Sequence, residues 1–140
     1  MSYKRKMARR TPPIKVIEKD KLDIIFKYQK ELQELLGHDL DSMIIEEKEA
    51  YTRDNFLGLM AELNDLMGEI NWNKWKPNKK VANQAKVENI MNDAFHYFIN
   101  ICLVWDMYPE KLYDKYNKRN KSLLKKIKDN KLKYTGRKKK

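Results

Sequence analysis

The stretch FLGLMAELNDLMGEI, residues 56–70, decides the fold class of this 140-residue chain. Its apolar residues recur at intervals of three and four positions, which places them on one face of an α-helix. This apolar stripe consists of Phe56, Leu59, Met60, Leu63, Leu66, Met67 and Ile70. We expect the helix to pack through the stripe, to end near Trp72, and to be followed by a linker that contains Pro77.

Other parts of the chain carry the same helical periodicity. Helices are predicted over 21–36, where Gly37 is a stop signal, and over 81–107. A further helix is predicted over 109–132 because proline suits a first helical turn, and a short helix is expected around 44–50. Only four Gly and four Pro occur, and polar and apolar residues do not alternate, so strands are not expected. These patterns predict an all-α bundle of four to five helices.

The chain has a formal net charge of +11, and its excess of basic residues is concentrated at the two ends. We expect a flexible basic arm over 1–20, a domain over 21–132 and a disordered basic tail over 133–140. The arm and tail allow two interpretations, since they can bind nucleic-acid phosphates or act as solubilising segments. The basic residues concerned are Lys4, Arg5, Lys6, Arg9, Arg10, Arg137, Lys138, Lys139 and Lys140.

Cysteine content and hydropathy predict a cytoplasmic protein. Cys102 is the only cysteine, so no disulfide forms within the chain, and an unpaired thiol indicates a reducing compartment. The longest apolar run, around 98–105, is too short to span a bilayer. The basic residues at the start are not followed by an apolar segment, so we do not expect a secretion signal there.

Acidic residues are the chemically informative feature of the sequence. Glu62, Asp65 and Glu69 lie on one face of the second helix, opposite the apolar stripe, and Asp93 and His96 are one turn apart on the third. Carboxylates on facing helices of a bundle hold Mg²⁺ in many proteins, but a solvated acidic face has the same pattern. No glycine-rich phosphate loop, zinc-ligand spacing or serine nucleophile motif accompanies them.

Three segments, in this order, resemble the dimeric all-α dUTPases of the wider MazG-like nucleotide pyrophosphatase superfamily. They are QKELQ at 29–33, ELND at 62–65 leading to WNKWK at 72–76, and DAFHYF at 93–98. The resemblance covers residues 21–120. It implies a homodimer that hydrolyses dUTP or a related dNTP to the monophosphate and pyrophosphate with Mg²⁺.

The resemblance also implies roles for individual residues. Glu62 and Asp65 match the first metal-binding pair and Asp93 the last metal ligand, and these three carry the catalytic site. Glu69 and Glu88 are additional candidate ligands. The residues implied in substrate binding are Gln29 and Gln33 for the base, Trp72, Lys74, Trp75 and Lys76 in the turn, and His96, Arg119 and Asn120.

The chain departs from the family pattern at several positions. Asp65 stands where the family has a second Glu and Gln33 where it usually has Asn. A downstream Asn and Arg-Gln pair are replaced by Leu123, Lys126 and Ile127.

A Glu is expected three residues before Asp93, and Ile90 stands there instead. The nearest acid, Glu88, lies about 140° around the helix from Asp93, so a regular helix does not direct both at one metal ion. The second hypothesis is therefore a catalytically degenerate relative that binds nucleic acid or an acidic protein through its basic ends.

Overall fold

Four α-helices make up most of the part of the chain that the structure, a computed structural model, describes: residues 20–77 and 79–138, with side chains to Lys131. The helices are α1, Lys21–Leu35; α2, Ile45–Glu69; α3, Gln84–Val104; and α4, Pro109–Lys138. The described residues contain no strand, so the all-α prediction is confirmed. None of these four helices is long and apolar enough to cross a membrane.

The helices begin and end at local signals in the sequence. Asp20 caps α1, because its Oδ1 accepts a hydrogen bond from the backbone N–H of Leu22 at 2.9 Å. After α1 the chain turns through Gly37 with a φ of +93°, a conformation that glycine adopts without a steric penalty. The N–H groups of Gly37 and His38 then bond the carbonyls of Glu34 and Gln33. The predicted stop at Gly37 is therefore confirmed.

Several predicted boundaries differ from the structure, since α2 ends at Glu69 rather than near Trp72 and α3 covers Gln84–Val104 rather than 81–107. The short helix expected around 44–50 is the beginning of α2, and the Glu47 side chain accepts from the backbone N–H of Ile44 at its start. No Gly or Pro separates this segment from the apolar stripe, so one helix runs through both. The last helix continues to Lys138, beyond the expected end near 132. The basic arm over 1–19 lies outside the described residues.

The chain divides into two compact units, one up to Met107 and one from Tyr108 onwards. Within the first unit, α3 packs along α2 and also contacts α1. Burial of apolar side chains removes their surface from water and stabilises this packing. The buried apolar residues are Phe26, Leu40, Tyr51, Ala94, Ile99, Cys102, Leu103 and Val104.

The apolar stripe of α2 does not form the core of the unit. Phe56, Met60 and Met67 are 51%, 48% and 42% exposed. The fully buried residues of α2 are instead Tyr51 and Asn55, which lie on another face. On that face Asn55 pairs with Asn100 of α3 and Tyr51 donates to Gln33 of α1. Helical periodicity defines a stripe without identifying what covers it.

Gly58 allows α2 and α3 to approach closely. A methyl group added at Gly58 would lie 2.6 Å from Cζ of Tyr97, whereas one added at Gly68 meets no atom within 4 Å. We expect Gly58→Ala to lower the free energy of unfolding by about 1–3 kcal/mol through overpacking. Gly68→Ala, on the same helix, should raise it by up to about 1 kcal/mol through helix propensity. Urea unfolding measures both, and equal effects would contradict the close approach.

Candidate functional site

Contacts between α2 and α3 define the antiparallel register of the two helices. Asn100 Nδ2 donates to Asn55 Oδ1 at 2.9 Å, and two turns further along α2 lies Glu62. Four turns along, Glu69 forms an ion pair with Lys86 of α3 at 3.7 Å. Between these two contacts, seven residues forward from Asn55 and seven back from Asn100 reach Glu62 and Asp93. The register therefore places these two carboxylates at the same level of the helix pair.

The acidic residues differ in their surroundings along this interface. Glu62 and Glu69 are half-buried, because they continue the face of α2 on which Asn55 lies, while Asp65 and Asp93 are exposed. No group of three or more His, Cys, Asp or Glu side chains in residues 20–77 and 79–138 is gathered as a metal site. The register places two carboxylates, those of Glu62 and Asp93, at one level of the helix pair. Asp65 lies one turn further along α2.

Ile90 occupies the level opposite Asp65 in the same register. Its side chain is half-buried on α3, so packing accounts for the apolar residue. Glu88, by contrast, is exposed and accepts a hydrogen bond from Gln84 Nε2 at 3.3 Å. The structure therefore gives Glu88 a partner on its own helix and does not bring it to the level of Asp93.

The turn after α2 presents aromatic and basic side chains. Trp72 and Trp75 pack edge to face with ring centroids 6.4 Å apart, and they are 55% and 80% exposed. Asn71 closes the turn, because its side-chain amide accepts from the N–H of Lys80 at 3.1 Å and donates to the carbonyl of Lys80 at 2.6 Å. Lys74 and Lys76 are exposed. No sequence pattern predicted the hydrogen bonds between Asn71 and Lys80 that close this turn.

A cavity of about 260 Å³ lies between α1 and α3. It brings together two residues predicted to bind substrate, Gln29 and His96. Apolar walls with a few polar groups are typical of small-molecule sites. The lining residues are Ile25, Tyr28, Gln29, Leu32, Asn92, Phe95, His96 and Ile99. Sequence reasoning missed Asn92 and Phe95, although both fall on the helical face that carries His96.

A chain of buried side-chain amides supports this cavity. Gln29 Nε2 donates to Asn100 Oδ1 at 2.8 Å, and Asn55 Nδ2 donates to the backbone carbonyl of Tyr51 at 2.8 Å. Together with the bond between Asn100 and Asn55, these contacts connect α1, α3 and α2. Each of the four residues is less than 9% exposed. A buried polar group without a hydrogen bond lowers the stability of the fold. These hydrogen-bonded side chains therefore favour the one arrangement of the three helices in which all of them are paired.

Gln33 does not line the cavity. It is buried, and its Oε1 accepts a hydrogen bond from the hydroxyl of Tyr51 at 2.6 Å. Burial raises the pKa of Tyr51 to about 12, so the hydroxyl keeps its proton at physiological pH. Gln33 therefore has a structural partner, while Gln29 is the glutamine that reaches the cavity.

The remaining predicted residues lie elsewhere. Arg119 is exposed and Asn120 is half-buried on α4, in the second unit. Arg137 and Lys138 fall in the last turn of α4. The other basic residues proposed for nucleic-acid binding lie outside the described residues: Lys4, Arg5, Lys6, Arg9, Arg10, Lys139 and Lys140.

Comparison with known proteins finds one family. The family model described as dUTPase matches residues 21–134, most of the chain, and is of the family that the three sequence segments resemble. No curated protein matches the chain. No solved structure matches it either.

The hydroxyl of Tyr51 should make stability depend on pH. The unfolded chain releases this proton near pH 10 and the folded chain near 12, so the contribution is present below pH 10 and is lost as pH rises through 12. At neutral pH, Tyr51→Phe should be less stable than wild type by about 1–2 kcal/mol because Gln33 loses its partner.

The difference in unfolding free energy between Tyr51→Phe and wild type should shrink by up to about 2 kcal/mol by pH 12, because phenylalanine cannot ionise. Urea unfolding of both proteins at neutral and alkaline pH measures it. A difference that stays constant would show that Tyr51 titrates normally.

Proposed function

This chain belongs to the dimeric, all-α dUTPase family, and on that premise we propose that it is a cytoplasmic nucleotide pyrophosphatase. The substrate is dUTP or a related dNTP, the products are the monophosphate and pyrophosphate, and the cofactor is Mg²⁺. The observation that carries the proposal is the register of α2 on α3, which sets Glu62 level with Asp93.

The carboxylates at this level suit magnesium. Mg²⁺ prefers oxygen ligands, and in phosphate-binding sites it uses one or two carboxylates together with water and substrate phosphates. Glu62 and Asp93, with Asp65 one turn away, provide that donor set. A bound Mg²⁺ would neutralise the phosphate charge and polarise the phosphoryl group. Glu69 is the weaker candidate ligand, because it already pairs with Lys86.

Other groups of the chain suit two further requirements of the reaction, which are base binding and stabilisation of the leaving pyrophosphate. The cavity between α1 and α3 is apolar with a few polar groups, as a nucleobase site needs, and Gln29 and His96 both line it. Exposed Lys74 and Lys76 in the turn after α2 would offset charge that develops on the leaving pyrophosphate.

A second function is favoured by Ile90. Where the family pattern has a metal-binding Glu, this chain has a half-buried apolar residue, so the site has one carboxylate fewer. Changes that only orient metal ligands can cost 10- to 100-fold in metal affinity or activity, and loss of a ligand should cost more. The alternative is a catalytically degenerate relative that binds nucleic acid or an acidic protein through its basic ends.

Pyrophosphate release from a panel of dNTPs, with and without Mg²⁺, distinguishes the two functions. We expect turnover of dUTP or another dNTP that requires Mg²⁺ and falls at least about 100-fold in Glu62→Gln and in Asp93→Asn. Glu49→Gln removes an exposed carboxylate from the first part of α2 and should leave the rate unchanged.

Calorimetric titration with nucleotide and Mg²⁺ provides a readout that does not depend on turnover. Folded protein that releases no pyrophosphate and shows no Mg²⁺-dependent nucleotide binding would refute the enzyme. Retention on DNA or RNA that falls steeply with salt, and is lost on deletion of 1–10 and 128–140, would then support the alternative.

We also propose that the apolar stripe of α2 is covered by a second copy of the chain. Five residues of the stripe are at least 37% exposed in the single chain: Phe56, Met60, Leu63, Met67 and Ile70. Contiguous exposed apolar surface of this kind marks interaction sites, and the family is one of dimers. A symmetric pair would bring the same stripe of each copy together.

Light scattering at micromolar concentration should give twice the chain mass of 16.9 kDa. Met60→Glu buries a charge in the interface and should give the monomer mass. Leu57→Glu is the matched control, since Leu57 is 58% exposed on α2 but lies off the stripe. A monomeric wild type, or equal dissociation by both variants, would exclude the stripe as the interface.

A further inference from the structure

The buried amide chain has a direction that chemistry imposes on it. A backbone carbonyl oxygen only accepts hydrogen bonds, so Asn55 must turn its Nδ2 toward the carbonyl of Tyr51, which lies 2.8 Å away. Its Oδ1 then points to Asn100, which must donate through its own Nδ2 at 2.9 Å. The opposite orientation of either amide would place two acceptors or two donors against each other.

The same argument fixes the orientation of Gln29, the last side chain in this series of hydrogen-bonded amides. Because Nδ2 of Asn100 already donates to Asn55, Oδ1 of Asn100 accepts a hydrogen bond from Nε2 of Gln29 at 2.8 Å. Among the described residues no buried side-chain polar atom lacks a partner. Oε1 of Gln29 has no hydrogen bond in the described part of the chain, so it is not sealed in the interior, and the open space that Gln29 lines is this cavity.

We infer that Asn55 and Asn100 are positioning residues that hold the Gln29 amide with its carbonyl oxygen toward the cavity between α1 and α3. The cavity therefore presents a fixed acceptor and selects a base that offers a ring N–H. This inference rests on the proposed function, in that it takes the cavity to be the base site. The residues that set the selection are remote from the base, since neither Asn55 nor Asn100 lines the cavity.

A fixed acceptor discriminates between the two kinds of pyrimidine. Uracil has an N–H at ring position 3, between two carbonyl oxygens, whereas cytosine has an unprotonated nitrogen acceptor there. Oε1 of Gln29 can accept a hydrogen bond from the N–H of uracil. It cannot bond the unprotonated nitrogen of cytosine, because both atoms are acceptors. Asn92 and His96 line the same cavity and carry N–H groups for the flanking carbonyl oxygens. Loss of one such bond in a buried site weakens binding about 10- to 100-fold.

Calorimetric binding of dUMP and dCMP, which have nearly the same shape, tests the orientation. We expect wild type to prefer dUMP by about 10- to 100-fold. Asn55→Leu removes the group that orients Asn100, so the Gln29 amide can rotate. The affinities for dUMP and dCMP should then differ by less than about threefold. Thr52→Val is the matched control. It removes a half-buried hydroxyl of α2 that accepts from Trp105 Nε1 at 2.8 Å and has no bond to the buried amides, and it should keep the preference.

A rescue variant separates positioning from general damage to the fold. In the Asn55→Leu background, Asn100→Asp supplies a carboxylate, which only accepts, when binding is measured at a pH at which this group is ionised. Gln29 must then again donate Nε2 and the preference for dUMP should return. An unchanged preference in Asn55→Leu, or no return in the double variant, would overturn the inference. A merely structural role predicts no return.

Wild-type protein alone distinguishes failure of the inference from failure of the proposed function. If neither nucleotide binds, the proposed base site is refuted, and hydrogen exchange of the Gln29 side-chain amide by NMR decides the orientation. Protons on a bonded, buried Nε2 should exchange at least about tenfold more slowly than those of Gln84, which is exposed. Exchange as fast as that of Gln84 would overturn the orientation, and slow exchange would support it.

Discussion

The hydrogen bond between Asn55 and Asn100 sets the register of α2 on α3, and both candidate sites depend on that register. A slip by one helical turn would separate the two amides and leave buried polar atoms without partners, at a cost of about 1–3 kcal/mol for each. It would also move Glu62 away from the level of Asp93. One buried polar contact therefore positions a pair of carboxylates two turns away, and through Gln29 it also orients a side chain of the cavity.

The polar interior has a consequence for the outer surface of α2. Because the face toward α3 holds Asn55 and the half-buried Glu62, the apolar stripe must lie on another side of the helix. Apolar surface of this extent is costly in water, which is the physical reason to expect a second copy of the chain on it. The two faces of α2 would then have different tasks, one toward the acidic level and the other toward the partner.

Sequence reasoning could predict part of the candidate site. Gln29 and His96, identified from motif order, do line one cavity. Gln33 was assigned to the same pocket, but the structure pairs it with Tyr51. Asn55 and Asn100 were not predicted at all, because an asparagine in a helix has the same appearance in the sequence whether it is buried or solvated. Only a partner on another helix distinguishes these cases.

The amino-acid sequence by itself determined the helical class, the stop at Gly37 and the family, because helical periodicity, glycine conformation and motif order are local properties of the chain. Tertiary structure alone decided which face of α2 is inside and which acids lie at the same level of the helix pair. Those outcomes depend on pairing between side chains 45 residues apart, such as Asn55 and Asn100. Periodicity along one helix carries no information about such a partner, since each helix defines its faces but not the register in which they meet.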